Sequence, residues 1–163
     1  MIQIGLACDH AGFELKEFVK TYVEQKGYVC KDFGCYTSDS CDYPDYAHPL
    51  AEFIEETPCQ SSQIEGLNSP LLGKIEGALG IALCGSGNGI GMTLNKHQGI
   101  RAAICWNIEM AQVTRSHNDA NILVLPARFI NKEETAAIVD MFLSTPFEGG
   151  RHQRRIEKIP IKT

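Results

Sequence analysis

The stretch Leu83–Met92, LCGSGNGIGM, carries an apolar run into a loop in which alternate positions, Gly85, Gly87, Gly89 and Gly91, have no side chain. The residues before it, GIALC (Gly80–Cys84), read as a buried strand, and those after it read as a short helix. A strand, a glycine turn and a helix in that order form the repeating unit of an α/β fold. A tight strand-to-helix turn alone accounts for one or two glycines. Four at alternate positions point further, to a nest of backbone N–H groups that holds an anion.

The same alternation continues on both sides. Towards the N-terminus, IQIGLAC (Ile2–Cys8) reads as a strand and residues Phe13–Lys26 as a helix, with Leu15, Phe18, Val19, Tyr22 and Val23 on one face. Gly27 fits the cap of that helix, and YVCKDF (Tyr28–Phe33) supplies the second strand. A turn-rich segment, Gly34–Pro44, leads to a helix whose Ala47, Leu50, Ala51 and Ile54 share a face. Pro49 is expected in its first turn, where a missing N–H breaks no bond. Towards the C-terminus, IRAAIC (Ile100–Cys105) and NILVLP (Asn121–Pro126) read as strands, each followed by a helix, over Ile108–His117 and Lys132–Leu143. Strands separated by helices imply right-handed crossovers and a parallel sheet covered on both faces. The expectation is one α/β domain over residues 1–163, a three-layer α/β/α sandwich with a Rossmann-like sheet of five parallel strands. Only Thr57–Gly77, rich in Ser, Pro and Gly, breaks the scheme, and it reads as a surface insertion.

Composition limits the functions available. A chain of 163 residues with 44% hydrophobic and 21% charged residues has the make-up of an ordinary globular domain. Its net charge of −5 argues against general nucleic-acid binding. No run reaches the ~20 apolar residues of a membrane helix. The start, MIQIGLACDH, lacks the basic region and cleavage site of a secretion signal. Seven cysteines, an odd number with no C-x-x-C pair, fit reduced thiols in a cytoplasm better than a disulfide framework or a zinc site.

In open α/β sheets ligands bind beyond the carboxyl ends of the strands. CDHAG after the first strand, CGSGNG after the third and RSHND at the end of the helix after the fourth are expected to gather on that rim. The loop fails the dinucleotide fingerprint G-x-G-x-x-G, lacks the Gly-Lys-Ser/Thr of a phosphate-loop NTPase and is not a G-x-S-x-G elbow. Cys84 sits where N–H groups would stabilise negative charge on sulfur, which favours a base or nucleophile over a small core residue. For Cys8, Cys30 and Cys105 the core reading is preferred. Asp9 and His10 either cap a helix or serve the site, and His117, Asn118 and Asp119 either end a helix or serve it. In the locally basic tail, Arg151 and Arg155 stand at i and i+4, so a helix would project both guanidinium forks from one face, a phosphate clamp. Arg154 and Lys158 read as solvated.

Together CDHAGFELK, DYPDYA (Asp42–Ala47), LCGSGNGIGM with NKHQGIRAA, RSHNDANIL and FEGGRHQRRI resemble the ribose-5-phosphate isomerase B family, which extends to allose- and galactose-6-phosphate isomerases. The resemblance runs through almost the whole chain apart from Thr57–Gly77, which is longer than the family's usual connection. It implies an aldose–ketose isomerase of the non-oxidative pentose phosphate pathway, working through a cis-enediolate without metal or cofactor. By motif position Cys84 becomes the base that moves a proton between C1 and C2, and His117 the acid that opens the sugar ring, with Asp9 close by. Gly85, Ser86, Gly87, Asn88 and Gly89 become the loop that holds the enediolate oxygens. Ser86 keeps a hydroxyl where threonine is also common and joins the catalytic set. His10, Arg128, Arg151 and Arg155 become the phosphate clamp, with Asn118 and Tyr43 against the sugar. The implied partner is a small sugar phosphate, and the family's site at a dimer interface implies a homodimer or a dimer of dimers. Three other readings compete: a six-carbon sugar-phosphate isomerase, a nucleotide-binding module, and a redox sensor built on Cys84. The second is weakened by the failed fingerprint and the third by the lack of an identified resolving cysteine.

No group of His, Cys, Asp and Glu has metal-ligand spacing along the sequence. Turnover should therefore survive exhaustive treatment with EDTA. Activity lost on chelation and restored by one divalent ion would overturn the metal-free mechanism.

Overall fold

Strand β3 (Gly77–Cys84) is buried at all eight positions, and the sheet extends outward from it. Its neighbours are β1 (Ile2–Cys8) and β5 (Ile122–Pro126), with β2 (Val29–Asp32) and β4 (Ala102–Ile104) at the edges, in the order β2-β1-β3-β5-β4. Every pairing is parallel, and the register sets Cys8 opposite Leu83 and Cys84 opposite Pro126. The computed structural model describes residues 2–59 and 77–161.

The period of two along β3 divides the core. Leu79, Ile81 and Leu83 point to one face, where helices α1 (Phe13–Gln25), α4 (Ile108–Asn118) and α5 (Lys132–Ser144) contribute Val19, Ala111, Ile138 and Phe142. Ala78, Ala82 and Cys84 point to the other, under α2 (Pro44–Glu56) and α3 (Asn88–Leu94), with Leu50, Ile54 and Ile90. A parallel sheet must be covered on both faces, and the expected α/β/α sandwich is present. A sixth helix, α6 (Arg151–Ile156), packs on α4.

Two local expectations need correction. Strand β3 begins at Gly77 rather than Gly80: Gly77 pairs with Ile2, and the Ala78 N–H bonds the Thr57 carbonyl at 2.8 Å. Gly and Ala favour strands weakly, so tertiary pairing recruits them. Pro49 does not stand in the first turn, because α2 starts at Pro44 and Pro49 lies inside it. The Asp45 carbonyl loses its helical partner there, on a residue exposed to water. Of the insertion expected over Thr57–Gly77, the two ends flank β3 through a bridge between Pro58 and Ala78. Residues 60–76 lie outside the described residues.

One polar contact ties α1 to the rim of the sheet. Lys16 is fully buried, and its Nζ lies 2.8 and 2.7 Å from the two oxygens of Asp32 at the end of β2. Asp32 Oδ1 also accepts the Gly34 N–H at 3.0 Å, fixing the chain as it leaves the strand. Burial opposes the charge on Asp32, but Lys16, the Gly34 N–H and Lys20 outweigh it and hold the carboxyl below its ordinary 3.8. The stabilisation is thus present above the usual aspartate range and is lost as pH falls through the lower folded value. Asp32→Ala leaves the buried Lys16 ammonium with Glu17, 3.0 Å away, as its remaining carboxylate, and should cost at most about 3 kcal/mol. Lys16→Met should cost clearly less, and urea denaturation of both variants checks the order.

Candidate active site

Strands β1 and β3 lie side by side, yet the chain leaves them for opposite faces of the sheet, β1 towards α1 and β3 towards α3. Divergent connections open a crevice between the carboxyl ends of the two strands. There a cavity of ≈ 310 Å³ is lined by Asp9, His10, Tyr43, Cys84, Ser86 and Arg128, with Gly85, Gly89 and Phe129. Six residues singled out in the sequence for their side chains thus meet in one place.

Each is held by local structure. Asp9 is buried and caps a single 3-10 turn (His10–Gly12), its Oδ1 accepting the N–H groups of Ala11 at 2.9 Å and Gly12 at 3.1 Å. The capping reading is met, and Oδ2 takes no hydrogen bond from the described residues. His10 Nδ1 accepts the Cys41 N–H at 3.4 Å, which turns the other ring nitrogen away from that contact. The Arg128 N–H bonds the Gly85 carbonyl at 3.0 Å, continuing β5 alongside the glycine loop.

The loop places the thiol. Gly87 has φ +78°, a conformation that side chains rarely adopt, and its N–H points back to Cys84 Sγ at 3.1 Å. Gly89 is required for another reason: a Cβ there would stand 2.6 Å from the Tyr43 ring. The Ser86 hydroxyl accepts the backbone N–H and the side-chain amide of Asn88, both at 3.3 Å, on the exposed side of the turn. Cys84 itself is 4% exposed. Burial pushes the thiols of Cys8 and Cys105 up to about 12 and that of Cys30 up to about 11, as expected for packing residues.

The remaining candidates are elsewhere. Helix α4 starts beyond the carboxyl end of β4 and runs back for 11 residues, ~16 Å at 1.5 Å per residue. Its last turn, with His117 and Asn118, therefore reaches the opposite rim. Arg101, just before β4, bonds the carbonyls of Asn118 and Asp119 at 3.1 and 2.9 Å. Arg151 and Arg155 follow on α6, tied to the same end by the Glu148 N–H to the Ser116 carbonyl at 3.0 Å. The expectation that all polar clusters share one rim is thus wrong, because a helix returning from a parallel strand carries its last turn to the far side. Within one chain, His117, Asn118, Arg151 and Arg155 do not line the Cys84 cavity.

The far rim is built as carefully as the near one. Asp119 ends α4 at φ 44°, and its two carboxylate oxygens are gripped by Arg115 Nη1 at 2.9 Å and Arg101 Nη2 at 3.0 Å. Arg115 is buried, with Nε and Nη2 unpartnered among the described residues. The exposed Arg151 and Arg155 have no carboxylate partner among the described residues. Two residues that sequence reading did not single out, Glu148 and His152, also gather at His117. The ligand atoms of His117, Glu148 and His152 lie within 4.8 Å of one another, a cluster that sequence spacing did not reveal. The two imidazoles are parallel to within 5°. Their lone pairs therefore lie in separate parallel planes and do not converge on one ion as the rings stand.

A family model described as Ribose/Galactose Isomerase matches residues 4–64 and 70–159. The chain belongs to that family. Residues 65–69, between the matched stretches, fall inside the segment that sequence reading marked as long. Ribose-5-phosphate isomerase B of Escherichia coli is 36% identical over 159 residues, covering 98% of this chain and 95% of the relative. A crystal structure of a ribose 5-phosphate isomerase from Thermotoga maritima is 47% identical with a TM-score of 0.83, covering 97% of each chain. Ribose-5-phosphate isomerase B from Mycoplasma genitalium, solved with bound ribulose-5-phosphate, is 37% identical with a TM-score of 0.82, covering 97% of this chain and 93% of that one. Among the described residues no helix is long and apolar enough to cross a membrane.

Cys84→Ala should leave the fold intact and lower turnover of ribose 5-phosphate by about 10²–10⁴, the usual contribution of a general base. Alkylation of the thiol should mimic the substitution, and a bound substrate analogue should slow the alkylation. A variant close to wild type in rate would remove Cys84 from the mechanism.

Proposed function

We propose that this protein interconverts ribose 5-phosphate and ribulose 5-phosphate through an enediolate, in a homodimer whose two sites are each shared between chains. The observation that carries the reading is the division of the candidate residues between two rims: Cys84, Asp9, His10 and Arg128 at one, His117, Asn118, Arg151 and Arg155 at the other. A second copy, set far rim against near rim, completes the set. Two-fold symmetry then forms two equal sites from the same pair of surfaces.

In such a site His117 of one chain donates a proton to the ring oxygen and opens the sugar, with Asp9 of the other chain alongside. Cys84 removes the proton from C2, and the electron pair moves onto the C1 oxygen as the enediolate forms. Backbone N–H groups between Gly85 and Gly89 and the Ser86 hydroxyl hold that charge where it develops, which is where preorganised donors lower a barrier most. The O2 proton passes to O1, the C2 carbonyl forms, and Cys84 returns its proton to C1 to give the ketose. The phosphate keeps its charge throughout, so His10, Arg128, Arg151 and Arg155 act by holding the reacting carbons against Cys84. The step lies in the non-oxidative pentose phosphate pathway and needs no cofactor. The seven free thiols support a reducing, cytoplasmic setting.

Purified protein should turn over ribose 5-phosphate in preference to allose 6-phosphate and galactose 6-phosphate; the reverse order would make it a six-carbon isomerase of the same family. Mixing inactive Cys84→Ala chains with inactive His117→Ala chains tests the sharing. Random pairing makes half the dimers mixed, each with one intact site of two, so about a quarter of the wild-type rate should return. A mixture that stays inactive after subunit exchange would place both residues in one chain's site.

A further inference from the structure

We propose that His152, together with Glu148, is the positioning residue for His117, holding its ring in place. This rests on the acid role given to His117 above. The rings of His117 and His152 stack with centroids 4.2 Å apart and planes within 5°. His152 is 7% exposed whereas His117 is half-buried, so the buried ring is a fixed platform for the one that faces outward. Glu148 Oε2 lies 3.8 Å from His117 Nε2 and 3.7 Å from His152 Nε2, one carboxylate between two imidazoles.

The backbone is shaped to make this meeting. Gly149 at φ +65° and Gly150 at φ +56° turn the chain between Glu148 and α6 through conformations that a side chain would strain. The Glu148 N–H ties the turn to the Ser116 carbonyl, and the His152 N–H closes it on the Gly149 carbonyl at 3.0 Å. The sequence EGGRH therefore does more than deliver two arginines.

The environment separates the rings. Arg151 Nε donates to His152 Nε2 at 3.5 Å, which uses that nitrogen as an acceptor and suits a neutral ring. Burial, then the neighbouring His117 and Arg151, push the His152 imidazolium down, with Arg155 adding to them and Glu148 opposing. A neutral His152 leaves the single Glu148 carboxylate to face His117.

Three variants and three readouts test this. His152→Ala should lower kcat on ribose 5-phosphate on the order of tenfold with KM little changed, since a misplaced acid slows ring opening but not binding. His152→Phe, which keeps a flat ring and has nothing to titrate, should recover most of the loss. Glu148→Gln should also lower kcat with little change in KM. The second reaction is exchange of solvent deuterium into ribulose 5-phosphate, an open-chain ketose that needs Cys84 but no ring opening. Exchange should persist in His152→Ala; loss of exchange in step with isomerisation would show a merely structural role and overturn the proposal. If the wild type neither isomerises nor exchanges, the functional reading fails, and proton NMR still decides the positioning. Ring-current shifts of the His117 protons should vanish in His152→Ala and persist in His152→Phe, and unchanged shifts in both would overturn it.

Discussion

The pairing of β1 with β3 is the constraint on which the near rim depends. Because the chain enters β2 on one side of this pair and β5 and β4 on the other, the loops after β1 and β3 must part. The Asp9 N–H still reaches the Leu83 carbonyl at 3.1 Å, so the two loops start from a common hydrogen-bonded floor before separating. A ligand in the crevice meets an aspartate and a histidine from one wall and a thiol with backbone N–H groups from the other. The chemistry of the rim follows from the strand order, and the glycines adapt it by letting Tyr43 come close.

Much of this was legible in the sequence. Five apolar runs gave five strands, and helical spacing in Leu15, Val19 and Val23 identified the buried face of α1. Asp9, His10, Cys84 and Ser86 were legible because each stands at or just past a strand end, where short sequence spacing and spatial position agree, whereas Tyr43, at the start of α2, and Arg128 came from the family resemblance alone. The far rim was not legible. RSHND follows a strand too, but with a whole helix between, and the direction of that helix decides which side of the sheet it reaches. His152 and Glu148 were hidden for a different reason. Their meeting with His117 depends on two left-handed glycines and a backbone tie to Ser116, none of which leaves a periodic signal. Gly77 and Ala78 were hidden because their strand conformation is imposed by neighbours rather than preferred locally.

The proposed division of the site between two rims changes what the individual fold has to achieve. One chain can present the thiol and the loop, or the histidine and the arginines, without bringing opposed charges and a base together in its own interior. In the proposed dimer Arg151 and Arg155 remain solvated until assembly and substrate enclose them, which avoids the desolvation that burial within one chain would impose. Rigid elements then supply each half: β3 and its turn for one, the end of α4 braced by α5 and α6 for the other.

The grip on Asp119 carries its own consequence for how this sequence can change. Arg115 is buried with two nitrogens already unpartnered among the described residues, and Asp119 supplies the charge that balances the third. The αL backbone at Asp119 would accept glycine or asparagine, so conformation alone does not demand an aspartate. Asp119 cannot be replaced first without leaving the Arg115 charge unanswered in the interior, whereas loss of Arg115 leaves Asp119 paired with Arg101 on the neighbouring segment. Substitutions at 101, 115 and 119 should therefore be non-additive, an epistatic triplet in which Asp119 is not the first to change. The last turn of α4, and with it the histidine that turn carries, inherits that conservatism from residues that need never touch a sugar.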